Sequence, residues 1–209
     1  MAGRTSVTGA ALAAVWFQLA LQAAAAVPDL PMLVVLHNDA KVPAAILESA
    51  RQLASSVFRD AGAQVIWIDE AAFARAMPVQ PKERREFGGS LMQVRIMSGQ
   101  MAKAMAANDR ALGMAVAEAH FAWIAFDKLV DSARRTHLGL GDALGYVIAH
   151  EIGHLLLPVN SHSAAGLMRA ELDPRLIALN RVRFSAEQGA RIRSTLEDLR
   201  ERMNSSQGR

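Results

Sequence analysis

Two histidines and a glutamate stand at a spacing that can assemble a hydrolytic metal centre. The apolar stretch Tyr146–Leu157 contains the motif H-E-x-x-H, formed by His150, Glu151 and His154. Residues four apart lie on one face of a helix, so both imidazoles can reach one metal ion. Glu151 can take a proton from a zinc-bound water and later pass it to a leaving amine. The motif therefore predicts a zinc ion and a general base on one helix.

A catalytic zinc site needs a third protein ligand besides these two histidines. The chain has no cysteine, so the ligand must be histidine, a carboxylate or a backbone oxygen. His162 lies beyond a helix-ending proline, from where its ring can swing back to the metal, and we expect it to be the third ligand. Glu171 and Asp173 are the other candidates downstream. The remaining histidines have no ligand-like spacing and are expected to be structural or exposed: His37, His120 and His137.

Three short segments resemble the metzincin zinc peptidases, and most closely the matrixins. They are H-E-I-G-H at 150–154, H-S at 162–163 and G-L-M at 166–168. The resemblance implies that the three histidines bind zinc, that Glu151 is the general base, and that Met168 belongs to a turn packed beneath the metal. It also implies zinc-dependent endopeptidase activity on a peptide or protein substrate.

The linker to the third histidine departs from the family pattern. In metzincins the third histidine follows the second by six residues, with a glycine midway, whereas those positions here hold Asn160 and Leu157. The linker is longer by two residues, and Asn160 can supply the positive φ that the glycine normally provides. Alternatively, Asn160 or a carboxylate completes the site and His162 lies behind it. No tyrosine follows Met168, and the single tyrosine, Tyr146, is expected to pack in the core.

Hydrophobic patterning predicts the elements that must position these residues. Apolar or alternating runs predict five strands at 32–36, 64–68, 91–96, 111–116 and 121–126. Helical spacing, prolines and capping residues predict helices at 43–62, 99–107, 127–135, 142–156 and from 185 onward. Asp142 is the predicted N-cap of the fourth helix. Ser185 and Gln188 form a predicted capping box on the last helix, whose apolar face is Ile192, Leu196, Leu199 and Met203.

The segments between these elements are predicted to be loops. Residues 70–90 form a loop with one helical turn, and residues 159–173 form a second loop. The resemblance implies an α+β fold of the α/β type, a metzincin-like zincin domain. Its sheet would be five-stranded, mixed and mostly parallel, with an antiparallel edge strand along the substrate cleft, an active-site helix and a C-terminal helix. We place that edge strand at 111–116 and the wall of the specificity pocket at 169–183.

Residues 1–26 have the pattern of a secretory signal peptide. Arg4 precedes an apolar run that ends in small residues at 24–26, where a signal peptidase can cleave. A membrane anchor is the alternative, although Gln18 and Gln22 interrupt the run. We expect an exported protein, secreted or periplasmic, without stable membrane insertion after cleavage.

The mature chain, residues 27–209, is expected to be a single catalytic domain. The predicted subdomains are 32–157, N-terminal, and 158–209, C-terminal with the metal-completing loop and the final helix. A hydrophobic fraction of 52% is enough for a core and excludes a wholly disordered chain.

Composition and charge narrow the function classes. The absence of cysteine excludes disulfides, thiol nucleophiles and thiolate metal ligands. A net charge of +3 gives little support to a nucleic-acid partner, and none is expected. Two functions remain beside the peptidase: a zinc hydrolase of a non-peptide substrate, and a secreted binding module with a structural zinc.

Overall fold

The computed structural model describes residues 30–76, 91–105, 111–171 and 173–207. The predicted signal peptide and residues 77–90 of the predicted loop lie outside these ranges, as do the last two residues of the helix predicted at 99–107. Within the described ranges, none of the helices is both long and apolar enough to cross a membrane.

A single five-stranded sheet forms the centre of the fold. Its strands are β1 (Leu30–Asn38), β2 (Ala63–Asp69), β3 (Leu91–Met97), β4 (Gly113–Val116) and β5 (Phe121–Ala125). They lie in the order β2-β1-β3-β5-β4. All neighbours pair in parallel except β4, which pairs with β5 in an antiparallel register. The mixed, mostly parallel sheet with an antiparallel edge strand is therefore confirmed.

Helices connect and follow these strands in the described part of the chain. They are α1 (Ala44–Asp60), α2 (Glu70–Ala76), α3 (Gly99–Met105), α4 (Phe126–Thr136), α5 (Leu140–Leu156), α6 (Pro174–Ala178) and α7 (Ala186–Gln207), with a short 3-10 turn at Ala117–Ala119. The boundary drawn between the two predicted subdomains falls just after α5. That division of the chain stays a prediction.

The start of α5 and the extent of α2 differ from the prediction. Helix α5 begins at Leu140 with Gly139 as its N-cap, and Asp142 lies in the first turn instead of capping the helix. The Asp142 carboxylate folds back over Gly139, where a negative charge is favoured by the exposed N–H groups and the helix dipole. Helix α2 has seven residues rather than a single turn, because Asp69 accepts hydrogen bonds from the backbone N–H groups of Ala71 and Ala72.

Helix α6 is absent from the prediction, which placed residues 159–173 and the pocket wall in irregular structure. Asp173 accepts a hydrogen bond from the backbone N–H of Arg175 at 2.9 Å, and Pro174 occupies the first turn. An aspartate cap followed by proline is a favourable helix start. The carboxylate of Asp173 is thereby engaged in capping α6.

The capping box at the start of α7 is confirmed. The backbone N–H of Ser185 donates to Gln188 Oε1 at 2.9 Å, and the N–H of Gln188 donates to Ser185 Oγ at 3.1 Å. Ile192, Leu196 and Leu199 are buried as predicted, while the side chain of Met203 lies outside the described part of the chain. Local pairing of side chains with backbone donors is enough to set this helix start.

Helix α5 runs through the core between α1 and the sheet. Thirteen of its seventeen residues are buried. Gly145 lets α1 approach closely, since a Cβ at that position would lie 2.9 Å from the carbonyl oxygen of Ala50 and from Leu53 Cδ2. Such close packing on several sides leaves little freedom to the helix that carries the H-E-x-x-H motif.

Candidate metal centre

Helix α5 delivers three of the predicted site residues to one end of the core. His150 and Glu151 are buried, with 8% and 5% of their surface exposed, and His154 is half-buried. His150 and His154 lie one turn apart, and their Nε2 atoms are 3.1 Å from each other. The helical spacing therefore brings the two imidazoles together on one face of α5, as the sequence predicted.

The third histidine reaches this pair after a turn. Helix α5 ends at Leu156, and Asn160 has a φ of 65°. That left-handed conformation is the one proposed for Asn160 in place of the family's glycine, and the structure confirms it. The chain then reverses and brings His162 Nε2 to 3.1 Å from His154 Nε2.

The three imidazoles are arranged as ligands of one ion would be. Their ligand atoms all lie within 4.8 Å of one another. Two nitrogens that bind one zinc ion at about 2.05 Å with a tetrahedral angle are separated by about 3.3 Å. The two measured distances of 3.1 Å are close to that value. The chemistry of the donor set and its spacing therefore fit Zn²⁺, and His150, His154 and His162 are able to hold a metal ion.

The Nδ1 atoms of both helix histidines have hydrogen-bond partners outside the cluster. His150 Nδ1 lies 2.8 Å from the carbonyl oxygen of Leu167, which can only accept a hydrogen bond. His154 Nδ1 lies 3.0 Å from Ser161 Oγ. A proton on Nδ1 leaves the Nε2 lone pair available to a metal, and these partners hold the rings in the required orientation.

Burial sets the protonation of this cluster in the metal-free protein. It lowers the pKa of His154 to about 4, with charge on His150 and His162 acting in the same direction. Burial also lowers the pKa of His150, although the hydrogen bond to Leu167 opposes the shift. Both rings are therefore neutral near pH 7, which is the form that binds metal.

Glu151 lies between the histidine cluster and the edge strand. A Cβ placed on Gly113 of β4 would lie 2.6 Å from Glu151 Oε1, so the carboxyl group packs directly against the strand. Burial raises the pKa of Glu151 to about 8. A nearby dication favours the charged carboxylate and opposes this effect.

Met168 is fully buried beneath α5. A Cβ on Gly153 would lie 2.7 Å from Met168 Sδ, so the sulfur packs where the helix has no side chain. The backbone N–H of Ser163 donates to the carbonyl of Met168 at 2.8 Å, and Gly166 makes the turn with a φ of 78°. The structure thus places the Met168 sulfur against Gly153 of α5; its role in supporting a metal stays a prediction.

A cleft of about 950 Å³ opens over these residues. It is lined by the three histidines and Glu151, by residues 111–115 of the edge-strand region, and by side chains of α4 and α6. Glu171 also lines the cleft, but it lies outside the cluster of three potential ligands. The structure therefore brings His162, and neither Glu171 nor Asp173, to the two helix histidines.

Other polar residues singled out in the sequence have local roles. His120 and His137 both adopt left-handed φ angles at the ends of helical turns. His37 is buried, with Nε2 at 3.2 Å from Gln93 Oε1. Tyr146 is fully buried as expected, and its hydroxyl donates to Asn180 Oδ1 at 2.7 Å.

Gly113 and Ser161 are site residues that sequence reasoning did not find. A glycine inside the strand predicted at 111–116 could have indicated close approach by another group at Gly113, although it would not have identified that group. Nothing in the spacing of Ser161 indicated a contact with His154. Both contacts depend on segments folding back over α5.

No protein family model matches this sequence, and no curated protein matches it. The fold is similar to the crystal structure of a zinc-dependent peptidase from Methanocorpusculum labreanum (strain Z). The TM-score is 0.54, and the match covers 76% of this chain and 99% of that chain at 17% sequence identity. The similarity shows a shared fold.

Proposed function

We propose that this protein is a zinc-dependent endopeptidase of metzincin, matrixin-like architecture. The observation that carries the proposal is the convergence of three histidine Nε2 atoms beside a buried glutamate in one cleft. A structural zinc site has no need of a base at this place, whereas a hydrolase does. The similar fold of a zinc-dependent peptidase supports the choice of reaction.

His150, His154 and His162 would hold the ion, and Glu151 would handle the protons. Bound Zn²⁺ supplies Lewis acidity, which polarises the scissile carbonyl and makes water more acidic. Glu151 accepts a proton from the attacking water and delivers it to the nitrogen of the leaving amine. Its position against Gly113 keeps the carboxyl group at the boundary between the cluster and the edge strand.

Strand β4 offers a binding edge to a peptide or protein substrate. It is the last strand of the sheet, and residues 111–115 line the cleft beside Glu151. An extended peptide can add to such an edge through backbone hydrogen bonds. We propose that the substrate lies along β4 with its scissile bond above the three histidines.

Metal content and mutation of Glu151 test this proposal. We expect the purified protein to bind one zinc per chain and to cleave peptides from a library. Glu151→Gln and Glu151→Ala should retain zinc but lose at least about 100-fold in rate, the usual range for loss of a general base. A protein that binds no zinc, or a Glu151→Ala variant as fast as wild type, contradicts the proposal.

The substrate class needs a separate assay. Parallel screening of peptides, esters and small amides distinguishes a peptidase from a hydrolase of non-peptide substrates. A metal-dependent melting temperature without any hydrolysis would instead indicate a binding module with a structural zinc.

We also propose that the protein is exported and that residues 1–26 are removed. The pattern of one early arginine, an apolar run and small residues at 24–26 supports this. N-terminal sequencing of the protein from the periplasm or culture medium should begin at Val27. Recovery of the full-length chain from the membrane fraction would show that the segment is kept as an anchor.

A further inference from the structure

The hydroxyl group of Ser161 lies 3.0 Å from Nδ1 of His154. We propose that Ser161 is a positioning residue that orients His154 for zinc binding and anchors the linker that carries His162. This inference rests on the proposed zinc function. Ser161 would thereby keep His154 and His162 close together without binding the metal itself.

The two ends of the His154 ring face different partners. Nδ1 lies 3.0 Å from Ser161 Oγ, and Nε2 lies 3.1 Å from the Nε2 atoms of both His150 and His162. A neutral imidazole has its proton on one nitrogen and a lone pair on the other. When the serine oxygen accepts the Nδ1 proton, the Nε2 lone pair faces the point where the three rings converge.

His150 has the same arrangement but a different kind of partner. Its Nδ1 lies 2.8 Å from the backbone carbonyl oxygen of Leu167, which no side-chain substitution removes. His154 depends instead on a side-chain hydroxyl. Of the two helix histidines, His154 is therefore the one whose orientation a single substitution outside the ligands can release.

Ser161 also ties down the end of a linker that has little packing of its own. The backbone N–H of Leu157 donates to the carbonyl oxygen of Gly153, and the N–H of Ser163 donates to the carbonyl oxygen of Met168. These two hydrogen bonds hold the two ends of the linker. Between them, Val159 is 78% exposed and Asn160 has a left-handed φ. The Ser161–His154 contact lies between these two anchors and immediately before His162, so it couples the position of the linker to the ring of His154.

Four variants separate the hydroxyl from the shape of the side chain. Ser161→Ala removes the acceptor, and Ser161→Thr keeps it. Ser161→Val has nearly the shape of threonine without the hydroxyl, so it tests the hydrogen bond when Ser161→Ala folds poorly. Val159→Ala truncates an exposed side chain of the same linker and serves as the matched control.

The zinc dissociation constant, measured by competition with a chromogenic chelator, is the principal measurement. Loss of an outer partner of a metal-binding histidine typically weakens metal affinity by about 10–100-fold. We expect that loss in Ser161→Ala and Ser161→Val, and zinc affinity near that of wild type in Ser161→Thr and Val159→Ala. Melting temperatures of the metal-free variants show whether any of them is merely less stable.

A second measurement reports on the ring itself. In zinc-loaded wild type labelled with ¹⁵N-histidine, the Nδ1–H proton of His154 should exchange slowly with solvent because Ser161 accepts it. The same proton should exchange faster in Ser161→Ala and Ser161→Val, and slowly in Ser161→Thr.

Two outcomes overturn the inference, and they are distinguishable from each other. If Ser161→Ala and Ser161→Val bind zinc as tightly as Val159→Ala, the hydroxyl has no positioning role, while the proposed zinc function stands. If wild type itself binds no zinc, the proposed function fails and this inference fails with it.

Discussion

The contact between Gly113 and Glu151 makes Gly113→Ala a sharp test of how the proposed general base is positioned. A Cβ at Gly113 would lie 2.6 Å from Glu151 Oε1, 2.8 Å from Cδ and 2.9 Å from Cγ. Ordinary contacts between such atoms are about 3.5–4.0 Å. The φ of Gly113 lies outside the left-handed region, so alanine fits the backbone and the strain falls on the carboxyl group.

Relief of this overlap requires Glu151 or β4 to move by roughly 1 Å. A misplacement of that size in a catalytic group typically costs on the order of 100-fold in rate. We therefore expect kcat/KM of Gly113→Ala to fall by about 100-fold, mainly through kcat, since the proposed role of Glu151 is to transfer protons in the transition state. Zinc affinity should stay at the wild-type value, because the three atoms nearest to the new Cβ all belong to Glu151 and none to a histidine.

Steady-state cleavage of a fluorogenic peptide, together with zinc content, checks this prediction. Gly189→Ala in α7 is a suitable control, since it makes the same change at a glycine where the new Cβ would meet no packed neighbour closer than 3.5 Å. A Gly113→Ala variant with kcat/KM within about threefold of wild type would refute the proposed role of β4 in holding Glu151. Loss of zinc in that variant would show instead that the whole centre is distorted.

Three further predictions concern stability. Removal of zinc with a chelator should lower Tm, and the decrease should grow with the zinc concentration of the reference sample. The reason is that a ligand that binds only the folded state stabilises it by about 2.7 kcal/mol at one hundred times its Kd. Calorimetry at several zinc concentrations measures the change, and a Tm that does not depend on zinc would contradict the prediction. Gly153→Ala should lower the free energy of unfolding by about 1–3 kcal/mol, since its Cβ would lie 2.7 Å from Met168 Sδ and 3.0 Å from Phe184 Cε1. Urea unfolding measures the change. If the added Met168→Ala substitution reduces the loss of stability caused by Gly153→Ala, the Met168 side chain is the group that the new methyl overlaps. In the metal-free protein, burial raises the pKa of Glu151 from 4.5 to about 8, so between these pH values the folded chain keeps a proton that the unfolded chain releases. The contribution of this group to the free energy of unfolding is therefore complete below about pH 4.5 and is lost as the pH rises through 8. The free energy of unfolding of wild type relative to Glu151→Gln should therefore fall between pH 5 and 8, by at most roughly 4–5 kcal/mol, and parallel pH profiles of the two proteins would exclude the effect.

Local patterns were sufficient for the elements that depend on neighbouring residues. His150 and His154 lie on one face because helical geometry alone puts residues four apart together. The Ser185–Gln188 box was predictable because both partners belong to the same turn. The prediction was wrong for the cap at Asp142 and missed the cap that Asp173 supplies to α6, since several residues near a helix start can cap it and the rest of the fold selects one.

Local spacing alone does not select His162 over the other candidate ligands. His162, Glu171 and Asp173 were all chemically suitable, and spacing after a proline does not fix where a loop goes. The left-handed φ of Asn160 reverses the chain, and the capping of α6 engages Asp173 elsewhere. The choice of His162 is thus a property of the folded loop, although the resemblance to metzincins pointed to the same residue.

The sequence by itself determined the H-E-x-x-H pair, the glutamate between its histidines and the mixed sheet that resemblance implied. Only the tertiary structure decided that His162 joins the pair, that the Ser161 hydroxyl contacts His154 Nδ1, and that Gly113 leaves room for Glu151. The physical reason is the range of the interactions. Spacing within one helix fixes the relative positions of its side chains, whereas contacts between α5, its following linker and β4 depend on how distant segments pack together.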